Sequence, residues 1–295
     1  MSASPVLVAT DLDRTMIYSK NAIGGDPSGT DLTSPQQHVC VEYYNGGPLS
    51  HMSTETIDQL VALSRTTPVI PTTTRTIAQF QRIDLPGAPW KYAITSNGGN
   101  ILVDGKPDLL WRTEIDRSTN SAGVELAHVH SELETRIDVS WVSSIRVADE
   151  LFPYLVVDLS TIPADFEADW SDWCTARGWN VSRQGRKIYT MPNAVSKSRA
   201  LAEVRRRLVD AGELTPDATV LSAGDGALDA DMLEYADFAI RPRHGELEEL
   251  NWQRPTVTVT EGSGIAASAE IVRWFSAHVA AMTVGTPHSP SSSLK

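Results

Sequence analysis

A short apolar run, VLVAT at residues 6–10, ends abruptly on two aspartates that flank one residue, Asp11 and Asp13. The run does not alternate apolar and polar residues, so as a strand it needs cover on both faces, as in a parallel sheet sandwiched between helices. Two carboxylates at the end of such a strand repel each other unless a cation shares their charge. The stretch therefore predicts a buried sheet and a cation site at its edge.

The rest of the chain alternates in the same sense. A polar, Gly-rich stretch over 19–34 leads into VCVEYYNGGPLSHM, which reads as an extended flap over the strand ends with a hairpin turn at Asn45-Gly46-Gly47. Ser53 suits a helix cap, and Ile57, Leu60, Val61 and Ser64 recur with helical spacing. PVIPTTTRT and KYAITSNGGNILV read as further strands, the second with a Gly-Gly turn. After residue 189, SKSRALAEVRRRLVDAG is a helix with Leu201, Val204 and Leu208 on one face, stopped by Gly212. ATVLSAGDG is a strand entering an acidic turn, FAI and PTVTV are short strands, and 265–278 is a last helix. The expected fold is α/β, a Rossmann-like doubly wound parallel sheet.

Residues 113–189 differ in character. A helical stretch at 117–136 precedes β-like segments, a helix around ADFEADWSDWCTARG, and two short β-like pieces, WNVSR and KIYTM. This composition suggests an inserted α+β module, with Trp141, Trp170, Trp173 and Trp179 forming its core. The expected division is 1–112 plus 190–284 as the main domain, 113–189 as the insertion, and 285–295 as a disordered tail.

Composition narrows the function. A formal charge of −12 argues against a nucleic-acid or anionic-membrane surface while leaving room for a local basic pocket. The expectation is a cytoplasmic protein, without membrane or nucleic-acid partners, that acts on a small molecule. Cys40 and Cys174, the only cysteines, form no zinc or disulfide pattern and read as buried free thiols.

In an open parallel sheet the loops at the carboxyl ends of the strands meet at one crevice. They would gather Asp11, Asp13, Thr73, Arg75, Asp225 and Asp229, with Lys197 at the start of its helix. A carboxylate such as Asp11 can attack phosphorus and form an aspartyl-phosphate, and Asp13 can act as general acid and then base. Mg²⁺ suits Asp11, the backbone carbonyl of Asp13, and Asp225, with Asp229 holding Asp225 or a bound water. Thr73 and Lys197 would meet the charge on the phosphoryl oxygens.

The motifs DLDRT, TTTR, SNGG, SKSRAL and GDGALDADML, in this order, resemble those of the haloacid dehalogenase (HAD) superfamily of phosphatases. The insertion resembles the C2-type cap of its Cof-like and sucrose-phosphate-phosphatase-like branch. The resemblance implies Asp11 as nucleophile, Asp13 as acid/base, Thr73 and Lys197 as phosphate contacts, and Asp11, Asp13, Asp225 and Asp229 around Mg²⁺. It also implies a cap that selects a small phosphorylated metabolite, such as a sugar phosphate; the domain order, with the cap joined at two points near 113 and 189, adds the expectation that it closes over bound substrate. Two positions depart from the pattern: Arg14 replaces a common Gly, and Thr74 interrupts Thr-Gly-Arg. The DLDRT variant further resembles HAD proteins of tellurium-resistance gene neighbourhoods, which would point to nucleotide-derived substrates.

Bland readings stand beside these. Asp11 and Asp13 alone make an ordinary strand-end turn, Lys197 alone a solvated helix residue, and Asp229 alone a helix-dipole partner. His128 and His130 could face either crevice or solvent, whereas Arg146, Arg183, Arg186 and Lys187 read as exposed cap surface and Arg205–Arg207 as a solvated helix face. A phospho-acceptor switch, or a ligand-binding protein blocked by Arg14, would use the same acids without turnover.

Overall fold

In the computed structural model, residues 3–24 and 37–284 are described. The expected tail at 285–295 and residues 25–34 of the Gly-rich stretch lie outside the described residues.

The first strand, Ser4–Thr10, is an interior strand of a five-stranded parallel sheet ordered Val257–Val259, Phe238–Arg241, Leu214–Ala223, Ser4–Thr10, Val69–Pro71. Its side chains alternate between two oily layers, which explains the unbroken apolar run. Val6 and Val8 pack with the helices Thr54–Ser64 and Ile265–Val284, while Leu7 and Ala9 face Lys197–Asp210 and Ala230–Tyr235. The Tyr92–Thr95 strand extends the layer beyond Val69–Pro71 through a parallel bridge between Thr72 and Ile94. It then turns back through Asn100–Val103.

Local expectations were met in most places. Ser53 accepts a hydrogen bond from the Thr56 amide at 3.0 Å and starts its helix. The buried face is rotated, however, to Thr56, Leu60 and Leu63, because Thr56 Oγ1 bonds Ser268 of the last helix at 2.7 Å and draws the two helices together. The hairpin is present as His38–Tyr44 and Gly47–Ser53, turning at Asn45 and Gly46 with φ of 49° and 77°. The last helix runs beyond residue 278 to Val284, and the strand expected at ATVLSA begins earlier, at Leu214.

The inserted segment forms a four-stranded antiparallel sheet ordered Trp179–Gln184, Lys187–Pro192, Phe152–Val157, Val142–Ala148. Helices Leu109–Ala122, Leu126–Arg136 and Phe166–Thr175 pack with it. The single helix expected over 117–136 is two, broken at Gly123. A Cβ there would lie 2.1 Å from the Arg177 carbonyl oxygen, so close chain approach decides the break although apolar periodicity continues across it. Trp141, Trp170 and Trp179 are buried and Trp173 packs against them, as expected of a core. This apolar cluster runs without interruption into the Leu7 face of the parallel sheet.

The cap is tied to the main sheet by polar contacts as well. Asp149, in the turn before Phe152–Val157, accepts from the Ile77 amide at 2.9 Å and Asn100 Nδ2 at 3.1 Å. Asp108 caps the Leu109–Ala122 helix through the amides of Leu110 and Trp111 and also pairs with Arg207 of the Lys197–Asp210 helix. Among the described residues, no helix is long and apolar enough to cross a membrane.

Candidate active site

The first strand and the Leu214–Ala223 strand end side by side, Thr10 opposite Ala223, and the Asp11 amide donates to the Ala223 carbonyl at 2.8 Å. This places Asp11 against the acidic turn that follows Ala223. Asp11, Asp225 and Asp229 are all buried, and one oxygen from each lies within 4.8 Å of the others.

Lys197 reaches this group from the first turn of its helix, whose cap, Ser196, accepts from the Arg199 amide. Its Nζ is 2.7 Å from Asp11 Oδ1 and 2.5 Å from Asp229 Oδ1, with the lysine 1% exposed. A buried ammonium is tolerated only when it is paired, and here two carboxylates hold it charged above the ordinary lysine range. The other oxygen of Asp229 accepts from the amides of Asp225 and Gly226 at 3.0 and 2.8 Å. With both oxygens engaged, Asp229 shapes the acidic turn and positions Lys197.

Three acids and one lysine leave an excess of two negative charges among the buried groups, which the half-exposed Arg14, 3.6 Å from Asp225, offsets only from the edge. Burial, followed by the neighbouring carboxylates, raises the pKa of Asp11 and Asp225. An all-oxygen donor set with a twofold charge deficit fits a hard divalent cation, and these residues could hold one. Close packing reinforces the arrangement: at Gly245, with φ of +90°, a Cβ would lie 2.4 Å from Asp225 Oδ2.

Asp13 is set apart from that group. Arg75 binds it with two hydrogen bonds of 2.7 Å, from Nε and Nη2. Crowding by protein opposes its charge, but the Arg75 bonds prevail and hold its pKa below the ordinary value. Arg75 also donates to Glu42 at 2.7 Å, and Glu42 accepts from Ser50 and Arg82, so the hairpin braces Asp13 through Arg75. Thr73 is fully buried at the strand end, its hydroxyl accepting from the Arg75 amide at 3.2 Å. Thr74, by contrast, borders the crevice.

Arg14 adopts a left-handed backbone conformation, φ 62°, of the kind glycine adopts without strain. His244 Nδ1 accepts from the Gly264 amide, so its proton is on Nε2, which donates to the Arg14 carbonyl at 2.8 Å. Burial keeps this imidazole neutral, its pKa pushed down to about 4. The Arg14 Nε lies 3.6 Å from Asp225 Oδ2, so the side chain skirts the acidic group.

Above the acids lies a cavity of about 370 Å³ bounded by Asp11, Asp13, Arg14 and Asp225 below and by Gln184 to Lys187 of the cap above. The cap sits close: a Cβ on Gly226 would be 2.6 Å from Gln184 Nε2. Arg186 and Lys187 line this cavity and Arg146 an adjoining one, contrary to the expectation of outward cap surface. Strand register decides which face each side chain takes, and spacing alone cannot specify it. Arg183 instead pairs with Glu167 at 2.8 Å. His128 stacks on Trp173, and His130 lies 3.6 Å from Glu134; neither borders these two cavities.

Sequence reasoning missed Glu42, Ser50 and His244. Only the need of Arg75 for an acidic partner hinted at the first. The two thiols are free, as expected, Cys174 buried and Cys40 partly so.

No protein-family model matches the chain, and no curated protein matches it. Solved structures do. The sucrose-phosphatase of Synechocystis sp. PCC6803, solved with sucrose and phosphate, is 15% identical, with a TM-score of 0.59 over 92% of this chain and 98% of its own. A HAD subclass IIB sugar phosphatase is 12% identical, with a TM-score of 0.57 over 92% and 99%. A HAD-superfamily phosphatase from Bacteroides thetaiotaomicron is 14% identical, with a TM-score of 0.51 over 94% and 96%. The chain therefore has the fold of C2-capped HAD phosphatases, a parallel core sheet beneath an antiparallel cap.

Proposed function

We propose that the protein is a phosphoric monoester hydrolase working through an aspartyl-phosphate. What carries this reading is a buried carboxylate, Asp11, held by Lys197 beside two further acids under a roofed cavity. In the first step an Asp11 oxygen bonds to phosphorus as the bond to the leaving oxygen breaks, and Asp13 supplies a proton to that oxygen. In the second, Asp13 takes a proton from water, whose oxygen attacks phosphorus and releases inorganic phosphate, restoring Asp11. Arg75 holds Asp13 as the anion, the form needed for the second step, and must loosen its grip for the first. Lys197 pairs charge with the phosphoryl oxygens, and Thr73 orders the loop that borders them.

Mg²⁺ held by Asp11, Asp225 and the Asp13 carbonyl would supply charge neutralisation for the phosphoryl group. The main domain in this reading is 1–112 plus 190–284 and the cap 113–189, the cap selecting a phosphorylated sugar or similar metabolite. Two free thiols fit a reducing, cytoplasmic setting.

The test is steady phosphate release from p-nitrophenyl phosphate with Mg²⁺, lost in Asp11→Asn. Nucleophile removal should cost roughly 10⁴-fold or more. A single phosphorylation per chain without turnover would instead identify a phospho-acceptor switch.

A further inference from the structure

The cap carries an unbalanced positive patch next to the proposed phosphoryl cavity. In the antiparallel register Arg146 lies opposite Tyr154, and Tyr154 opposite Tyr189, so the three form a row across neighbouring strands. Lys187, two residues before Tyr189, shares that face. Arg183 pairs in register with Ile188, on the opposite face, which is why it meets Glu167.

Below this row lies a second cavity of about 590 Å³, adjoining the first through Asp13, Thr74, Arg186, Lys187 and Tyr189. Its cations fall into two sets. Arg75 and Arg82, from the main domain, are neutralised by Asp13 and Glu42. Arg146, Arg186 and Lys187, from the cap, form no ion pair with any described residue. Lys187 feels this crowding: burial, with Arg75 and Arg146 nearby, opposes its charge more strongly than Asp13 supports it. In a chain of net charge −12, three unpaired cations gathered at one cavity are a place for an anion. Arg186 and Lys187 border both cavities, but Arg146 borders only the second, so a phosphoryl group over Asp11 does not account for it.

We infer that the second cavity binds another anionic group of the substrate, a phosphate or carboxylate, with the Tyr154 and Tyr189 rings beside the carbon skeleton. The substrate class is then a phosphomonoester bearing a second anion, in preference to a neutral sugar monophosphate. This rests on the hydrolase reading for the identity of the first group, but its binding test does not require turnover.

The experiment is calorimetric titration of the Asp11→Asn protein, in excess Mg²⁺, with glucose 6-phosphate, glucose 1,6-bisphosphate and 6-phosphogluconate. At least one doubly anionic ligand should bind roughly tenfold or more tightly than glucose 6-phosphate, from charge-assisted hydrogen bonds to the cap cations. Which one does so distinguishes phosphate from carboxylate. Adding Arg146→Gln should reduce that preference to about threefold or less, whereas adding Arg183→Gln should leave it intact. Equal affinities for all three ligands, or a preference untouched by Arg146→Gln, overturns the inference. Lack of phosphate release by the unsubstituted protein from every ester would instead defeat the hydrolase reading, with the binding preference still measurable.

Discussion

The floor and roof of the crevice are built on opposite plans. The floor is acidic and its groups are held in place: Asp229 uses both oxygens, Lys197 bridges two acids, and Asp13 is gripped by Arg75. The roof is basic and solvent-facing, and its Arg146, Arg186 and Lys187 form no ion pair among the described residues. A floor fixed in position suits chemistry, because charges held in place need no reorganisation as a reaction proceeds. An unpaired roof suits recognition, because its partner arrives with the ligand. The two surfaces should therefore respond differently to substitution.

The largest effect is expected on the floor. Lys197→Met should lower turnover of p-nitrophenyl phosphate by roughly 10²- to 10³-fold, the range for loss of one oxyanion donor. An effect below about fivefold, measured by steady-state kinetics on folded protein, would erase the distinction from the roof. Next in size is the response to metal. Magnesium at about a hundred times its Kd should stabilise the fold by about 2.7 kcal/mol. Denaturant titrations with magnesium or with EDTA would read this difference, and Asp225→Asn should abolish it, since the acids that repel one another there are the proposed ligands.

A smaller effect sharpens the boundary between floor and roof. Asp108→Asn should cost about 1 kcal/mol at pH 7, within the range for caps and part-buried ion pairs. Burial alone would raise this carboxyl, but Arg207 and the helix amides hold it below 3.8. A depressed folded pKa means the contribution is present above the unfolded value and is lost as pH falls through the folded one. The gap between wild type and variant should thus persist at pH 5 and close below about pH 4. Urea titrations across that range would test it.

How much could be read in advance follows from range. The VLVAT strand, the Ser196-capped helix and the GDGALD turn are each specified within a few residues, and the sheet rule then brings Asp11, Lys197, Asp225 and Asp229 together. Glu42 was not legible, since its bonds to Arg75 and Arg82 span 33 and 40 residues and depend on how the hairpin folds back. The same holds for Arg146: one register step would have turned it to the other face. The break at Gly123 was not legible, since Ile115, Val129 and Leu133, buried on the two helices, keep a helical spacing across it.

The uninterrupted apolar body linking the Leu7 face of the sheet to Trp141 and Trp170 of the cap divides the roof into two territories for evolutionary change. Its underside is as constrained as the sheet itself, since lineages that alter it disturb both layers. The crevice-facing cations Arg146, Arg186 and Lys187 stand outside that body, so new specificities can arise there while the architecture stays fixed.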